Sequence, residues 1–142
     1  MTYDKLTIYT DGGARNNPGP AGIGAILKDE NDELVVSISE YIGEATNNQA
    51  EYKAVIAALE KAKELGAIEV ELFMDSQLVC EQLKGKYKVK NKDLAPLFVK
   101  VYNLSIGFKK ILYKHVRREF NKEADKLVNI AIDKELNQGL LK

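Results

Sequence analysis

Four acidic residues stand in stretches that otherwise read as buried structure, and they restrict the possible folds more than any other feature. Asp11 closes the alternating run Leu6-Thr7-Ile8-Tyr9-Thr10, and Asp75 closes the similar run Val70-Glu71-Leu72-Phe73-Met74. Glu51 lies on the apolar stripe of a long amphipathic segment, and Asp125 sits early in the last one. A carboxylate turned inward costs several kcal/mol or more unless it is paired or binds a metal. Four of them, with asparagine, glutamine and threonine close by, point to divalent-metal chemistry on a phosphodiester.

The rest of the composition is that of an ordinary globular domain. A chain of 142 residues with 45% hydrophobic and 30% charged content is expected to form one domain over 1–142, with a core at about 5–136 and a frayed tail at 137–142. The 21 basic and 21 acidic residues cancel, so no global field recruits a polyanion and any nucleic-acid footprint must be local. Cys80 is the single cysteine, which excludes an internal disulfide. Lys5 and Asp11 interrupt any N-terminal apolar segment, and no run approaches 18 apolar residues. The expectation is a soluble, cytoplasmic monomer with no membrane partner.

Period-2 alternation predicts a first strand ending at Asp11, followed by the loop Gly12 to Pro20. Ala21 to Lys28 and Glu33 to Glu44 read as two strands joined by the polar turn Asp29-Glu30-Asn31-Asp32. Thr46-Asn47-Asn48 supplies cap chemistry for a helix of about 18 residues ending near Leu65-Gly66. Residues 51, 55, 58, 59, 62 and 65 share one face of it, with Glu51 the odd member. Glu69 to Met74 is a fourth strand, and Ser76 caps a short helix to about Leu83. Leu94 to Ile106 is helical and Lys110 to Val116 is a fifth strand. Asn121 is expected to cap the last helix, whose apolar face is Ala124, Leu127, Val128, Ala131 and Ile132. The order β-β-β-α-β-α-α-β-α implies an α/β domain, a mixed sheet with helices packed on it.

If the first and fourth strands are neighbours, about 4.8 Å apart, their terminal carboxylates converge. The intervening helix starts near the same edge and brings Glu51 with it. Each acid also has a plain structural reading. Asp11 suits a turn before Gly12-Gly13, Asp75-Ser76 a helix-capping pair, and Asp125 the positive end of its own helix. Glu51 beside Val55 and Leu59 has no such motive.

Four blocks in order carry a family resemblance: Tyr9-Thr10-Asp11-Gly12-Gly13 through Asn17-Pro18-Gly19-Pro20-Ala21-Gly22, Thr46-Asn47-Asn48-Gln49-Ala50-Glu51-Tyr52, Asp75-Ser76-Gln77-Leu78-Val79, and His115 through Asp125. Over residues 5 to about 132 the chain resembles a type 1 ribonuclease H of the short form. The resemblance implies the RNase H-like fold: a five-stranded mixed sheet, with a three-strand antiparallel meander plus parallel strands, and helices on both faces. It implies an endonuclease that hydrolyses the RNA strand of an RNA/DNA hybrid, leaving 5′-phosphate and 3′-hydroxyl ends. It also implies a site for two Mg²⁺ ions, with Mn²⁺ a possible substitute. In that arrangement Asp11 bridges both ions, Glu51 and Asp75 complete the leaving-group side, and Asp125 holds the ion that activates water.

By the same resemblance, the backbone of the loop Gly12 to Asn16, with Gly12, Gly13 and Asn16 foremost, and the side chain of Gln77 contact ribose hydroxyls, while Asn17, Thr46 and Asn47 face the DNA strand. Asn16-Asn17-Pro18 also reads as a plain turn and Thr46-Asn47 as a plain cap. Lys84, Lys86, Lys88, Lys90 and Lys92 alternate through a tract with no acid. They read either as a solvated face or as a phosphate-tracking patch centred on Lys86, Lys88 and Lys90. Longer relatives carry a histidine in the loop before the last aspartate; here that loop is Arg118-Glu119-Phe120-Asn121, and the only histidine, His115, falls in the strand pattern. Arg118, as a charge clamp, or Glu119, as a proton acceptor, is the candidate to take over part of its task. The alternatives are a non-catalytic nucleic-acid-binding module on the same fold, which the intact quartet argues against, or a related nuclease acting on other duplexes.

Overall fold

The computed structural model describes residues 2–140. Five strands and four helices follow one another as β1 (Tyr3–Ala14), β2 (Gly19–Lys28), β3 (Leu34–Ala45), α1 (Asn47–Glu64), β4 (Ala67–Met74), α2 (Gln77–Leu83), α3 (Ala95–Ser105), β5 (Lys110–His115) and α4 (Lys122–Leu140), with a 3-10 turn at Arg118–Phe120. They form one sheet in the order β3-β2-β1-β4-β5. The β1–β2 and β2–β3 pairs are antiparallel, and the β1–β4 and β4–β5 pairs are parallel. This is the expected mixed sheet, and its first and fourth strands are neighbours.

Alternation along the strands sorts the two faces. Leu6, Ile8, Val70, Leu72 and Met74 are buried with Tyr52, Val55 and Leu59 of α1. On the opposite face, Tyr9 stacks on Phe73 at 4.9 Å, and Lys5 pairs with Glu71 at 3.0 Å. There α4 covers β1, β2 and β3. The expected apolar faces of α1 and α4 are the ones that pack, with Ala124, Val128, Ala131 and Ile132 all buried.

The helices lie on glycines. A Cβ on Gly12 would fall 2.2 Å from the Ala50 carbonyl oxygen of α1, and one on Gly24 would fall 2.3 Å from the Ala124 carbonyl oxygen of α4. Neither distance is compatible with a side chain, so both helices sit closer to the sheet than any other residue permits.

Besides shifts of one or two residues at the starts of β2, β3 and β4, three features differ from expectation. Gly12, Gly13 and Ala14 belong to β1 rather than to a loop, because β2 continues the ladder past the end of β4, pairing them with Ile23, Gly22 and Ala21. The glycines interrupt the alternation that would have marked them as strand. The last helix runs to Leu140, past the expected end of the core at 136; residues 141 and 142 of the expected tail lie outside the described residues. Asn121 has the backbone position of a cap, its carbonyl accepting from Asp125 N–H at 3.1 Å, but its side chain does not cap the helix. It turns back to the sheet, donating to Thr10 O at 2.8 Å and Asp75 Oδ2 at 2.9 Å.

Overpacking a tight helix–sheet contact costs about 1–3 kcal/mol. We therefore expect Gly24→Ala to lose at least that much in urea unfolding. Gly13→Ala, whose Cβ would meet nothing nearer than 3.9 Å, should be close to neutral. Equal effects at the two positions would contradict the close-packing explanation.

Candidate active site

Thr10 and Met74 form the last pair of the β1–β4 ladder, so Asp11, still within β1, and Asp75, just past β4, follow it side by side. Glu51 arrives from α1. There a capping box, Gln49 N–H to Thr46 Oγ1 at 3.1 Å and Thr46 N–H to Gln49 Oε1 at 2.8 Å, fixes the helix start just over one turn before it. Gly12 N–H donates to Glu51 Oε1 at 3.3 Å, tying the glutamate to the strand end. One carboxylate oxygen from each of Asp11, Glu51 and Asp75 lies within 4.8 Å of the others. Asp125 stands outside that group of three but lines the same cleft of about 440 Å³, together with Arg15, Arg118 and Asn129.

Asp125 is placed by α4, and α4 is held in several ways besides its glycine seat. Arg15 pairs with Asp133 at 2.6 Å and donates to Asn129 Oδ1 at 3.2 Å, while Asn129 Nδ2 donates to the Asp125 carbonyl at 3.1 Å. Ser39 Oγ donates to Leu127 O at 2.6 Å. The Arg15 side chain and Asn129 carried no sequence expectation; their only signals were the loop position of one and the four-residue spacing of the other from Asp125.

Asp11 and Glu51 are 7% and 6% exposed, with no cation beside them among the described residues. Burial pushes the Asp11 carboxyl up to about 7; the charges of Asp75 and Asp125 add to the rise and the hydrogen bond with Glu51 opposes it. Burial and then the Asp11 charge push Glu51 well above the usual carboxylate range. Glu51 Oε2 is buried with no hydrogen-bond partner. A lone-pair donor left idle among carboxylates is what a cation would satisfy, and an all-oxygen donor set suits a hard ion. Asp11, Glu51 and Asp75 are thus placed to bind metal.

The other predicted residues fall into separate groups. Asn17 Oδ1 accepts from Asn47 N–H at 2.9 Å, and Asn47 Oδ1 accepts from Ala14 N–H at 2.8 Å, so the two asparagines tie the β1–β2 connection to the start of α1. Asn17 and Thr46 also line a hollow shared with Asn48, Gln49 and Asn91. Asn16 has a left-handed backbone at φ 66° in the exposed β1–β2 turn, and Gln77 is the exposed first residue of α2. Arg118 lines the carboxylate cleft, whereas Glu119 lines a neighbouring cavity of about 210 Å³ with Tyr9 and Lys28, its carboxylate 3.8 Å from Arg117. Lys84 and Lys86 both reach Glu81, at 3.7 and 3.9 Å, so an acid outside the tract serves part of it. Lys88 and Lys90 are exposed on either side of the half-buried Val89, which packs on the core. His115 is exposed at the end of β5.

A family model described as reverse transcriptase-like matches residues 9–131. Ribonuclease HI of Halobacterium salinarum is 45% identical over 129 residues, 91% of this chain and 65% of that protein. The bifunctional protein Rv2228c of Mycobacterium tuberculosis is 47% identical over 130 residues, again 91% of this chain but 36% of its own length. The chain thus spans about a third of the mycobacterial relative it matches. Among solved structures, LC11-RNase H1 in complex with an RNA/DNA hybrid superposes with a TM-score of 0.87 at 47% identity, covering 92% of this chain and 99% of that one. The chain belongs to the ribonuclease H family.

The raised carboxyls set a pH dependence whose sign is fixed. An acid with a higher pKa folded than unfolded binds more protons in the native state, so stability falls as pH rises between the two values. With metal chelated by EDTA, the thermal midpoint of the wild type should fall from about pH 4 to about pH 7 as Asp11 ionises first in the unfolded and then in the folded chain. Asp11→Asn should flatten that fall and raise the midpoint at pH 8. Parallel curves for the two proteins would show that the cluster carries no such strain.

Proposed function

We infer that the protein hydrolyses the RNA strand of RNA/DNA hybrids, with Mg²⁺ as its natural ion and two ions in the working site. The observation that carries this reading is the buried Asp11–Glu51–Asp75 cluster, its Glu51 oxygen unpartnered, opening on a cleft that Asp125 also lines. The family and the hybrid bound to LC11-RNase H1 supply the substrate class. Bound among these carboxylates, divalent ions would neutralise them, polarise the scissile phosphate and lower the pKa of the attacking water. Asp11, Glu51, Asp75 and Asp125 hold those ions. Cleavage leaves 5′-phosphate and 3′-hydroxyl ends.

The remaining residues bind and orient the substrate. Gln77 and the backbone at Gly12, Gly13 and Asn16 read the ribose hydroxyls of the RNA strand. Asn17 and Asn47 use their carboxamide oxygens within the protein, which leaves their NH₂ groups to donate to the DNA strand beside Thr46. Of the two candidates before Asp125, Arg118 is the better placed, since it shares the carboxylate cleft and Glu119 does not. Its planar guanidinium serves to hold the scissile phosphate. Lys88 and Lys90, with Lys86 in part, track the backbone phosphates. The protein acts as a monomer in the cytoplasm, consistent with its single, buried, free Cys80. No helix among the described residues is long and apolar enough to cross a membrane.

Matched RNA/DNA, RNA/RNA and DNA/DNA duplexes, incubated with Mg²⁺ or with EDTA, test the reading. Cleavage should be confined to the RNA of the hybrid, require Mg²⁺ and vanish in Asp11→Asn with the fold intact by circular dichroism. Metal-independent cleavage, or equal cleavage of DNA/DNA, would overturn it. In the same system each phosphate contact contributes a slope of about −0.9 to log affinity against log salt in B-DNA, with a similar order for a hybrid. Replacing Lys86, Lys88 and Lys90 by Gln should flatten that slope while leaving turnover at saturation nearly unchanged. An unaltered slope would return the tract to a solvated face.

A further inference from the structure

Asn121 is 2% exposed and lies at the junction of three of the four acidic supports. Its Nδ2 spends one proton on the Thr10 carbonyl, the residue before Asp11, and the other on Asp75 Oδ2. Its own carbonyl accepts from Asp125 N–H, the first turn of the helix that carries that carboxylate. The parallel ladder ends at Thr10–Met74, where β4 leaves the sheet for α2, and the carboxamide supplies a donor to β1 at that point. Its orientation is fixed by chemistry. With two acceptors facing it, the amide must present nitrogen, since a flipped group would set oxygen against a carbonyl and a carboxylate.

The arrangement has a cost that a purely structural residue would avoid. Asn121 Oδ1 is buried with no partner, and an orphaned buried acceptor costs about 1–3 kcal/mol. A helix cap would use that oxygen on the helix N–H groups. Here the group is turned so that both donors serve the strand ends and the acceptor is left idle. Among the described residues no other side chain donates a hydrogen bond to Asp75.

We propose that Asn121 is a positioning residue: its carboxamide fixes the Asp75 carboxylate relative to the Asp11 strand end, and so sets the metal affinity of the cluster. The inference rests on the metal-binding reading of that cluster. Partners that orient metal-ligating carboxylates typically change affinity by about 10–100-fold when removed.

Mn²⁺ binding by isothermal titration calorimetry tests it on the free protein, without substrate or turnover. Asn121→Ala should raise the dissociation constant at least about tenfold. Asn121→Ser, which keeps a hydroxyl too short to span both acceptors, should act in the same direction and covers the case in which the alanine variant does not fold. Val101→Ala, a core truncation on the buried side of α3 and away from the cleft, provides the comparison: it should lower the thermal midpoint and leave Mn²⁺ affinity unchanged. Dissociation constants within twofold of wild type in the Asn121 variants, with Asp75→Asn clearly weakened, would overturn the proposal and leave the metal site standing. An equal loss in Val101→Ala would reduce Asn121 to a stability role. Undiminished binding in Asp75→Asn would remove the metal site and the proposal together.

Discussion

A single methyl group at position 12 would sit 2.2 Å from the carbonyl oxygen of Ala50, and one at position 24 would sit 2.3 Å from that of Ala124. Everything chemical in this molecule depends on those two close approaches. The sheet delivers only Asp11 and Asp75, each just past the last pair of the β1–β4 ladder. Glu51 and Asp125 belong to helices on opposite faces, and each reaches the same strand ends because its helix rests against a glycine backbone. Displacing either helix by the thickness of a side chain would move its carboxylate away from the others by a comparable distance. Positioning at this level is what a catalytic constellation requires.

The same convergence creates the electrostatic problem that defines the site. Carboxylates in a buried cluster repel one another and lose hydration, and both effects push the Asp11 and Glu51 carboxyls up. A fold that only needed stability would replace them with apolar residues of similar volume. Their presence next to an unpartnered Glu51 oxygen is the signature of a group held ready for a cation rather than for a protein partner. The surrounding polar contacts make the cluster rigid without neutralising it. Asn121 donates to Asp75, Gly12 donates to Glu51, and Arg15 spends its charge on Asp133 instead of on the quartet.

Much of this was legible in the sequence, for physical reasons that differ from element to element. Alternation ending in an aspartate marked β1 and β4 because strand periodicity is local. Glu51 stood out because a helix has one buried stripe and an unpaired acid on it is an anomaly. The strand character of Gly12 to Ala14 was hidden because the property that places them in the sheet, the absence of a side chain under α1, also erases the alternation that marks a strand. Asn121 had the right position for a cap, and only tertiary structure reveals that its side chain turns away from the helix. The Arg15–Asp133 and Arg15–Asn129 contacts join residues more than a hundred positions apart and have no local signature at all. The lysine tract was read as one alternating face; Glu81, one turn back on α2, divides it by pairing with its first two members.

Burial pushes the Asp11 carboxyl up to about 7 and raises Glu51 beside it, so a divalent ion bound among them would displace protons. Ligand carboxylates must be ionised to bind, so metal binding at such a site releases protons. Calorimetric titration of the protein with Mn²⁺ at pH 7, repeated in buffers of different ionisation enthalpy, counts them. The account predicts heats that depend on the buffer, corresponding to a net release on the order of one proton for each protein molecule and diminishing in Asp11→Asn. Heats independent of the buffer would mean that the carboxylates are already fully charged in the free protein, and would contradict the account at its centre.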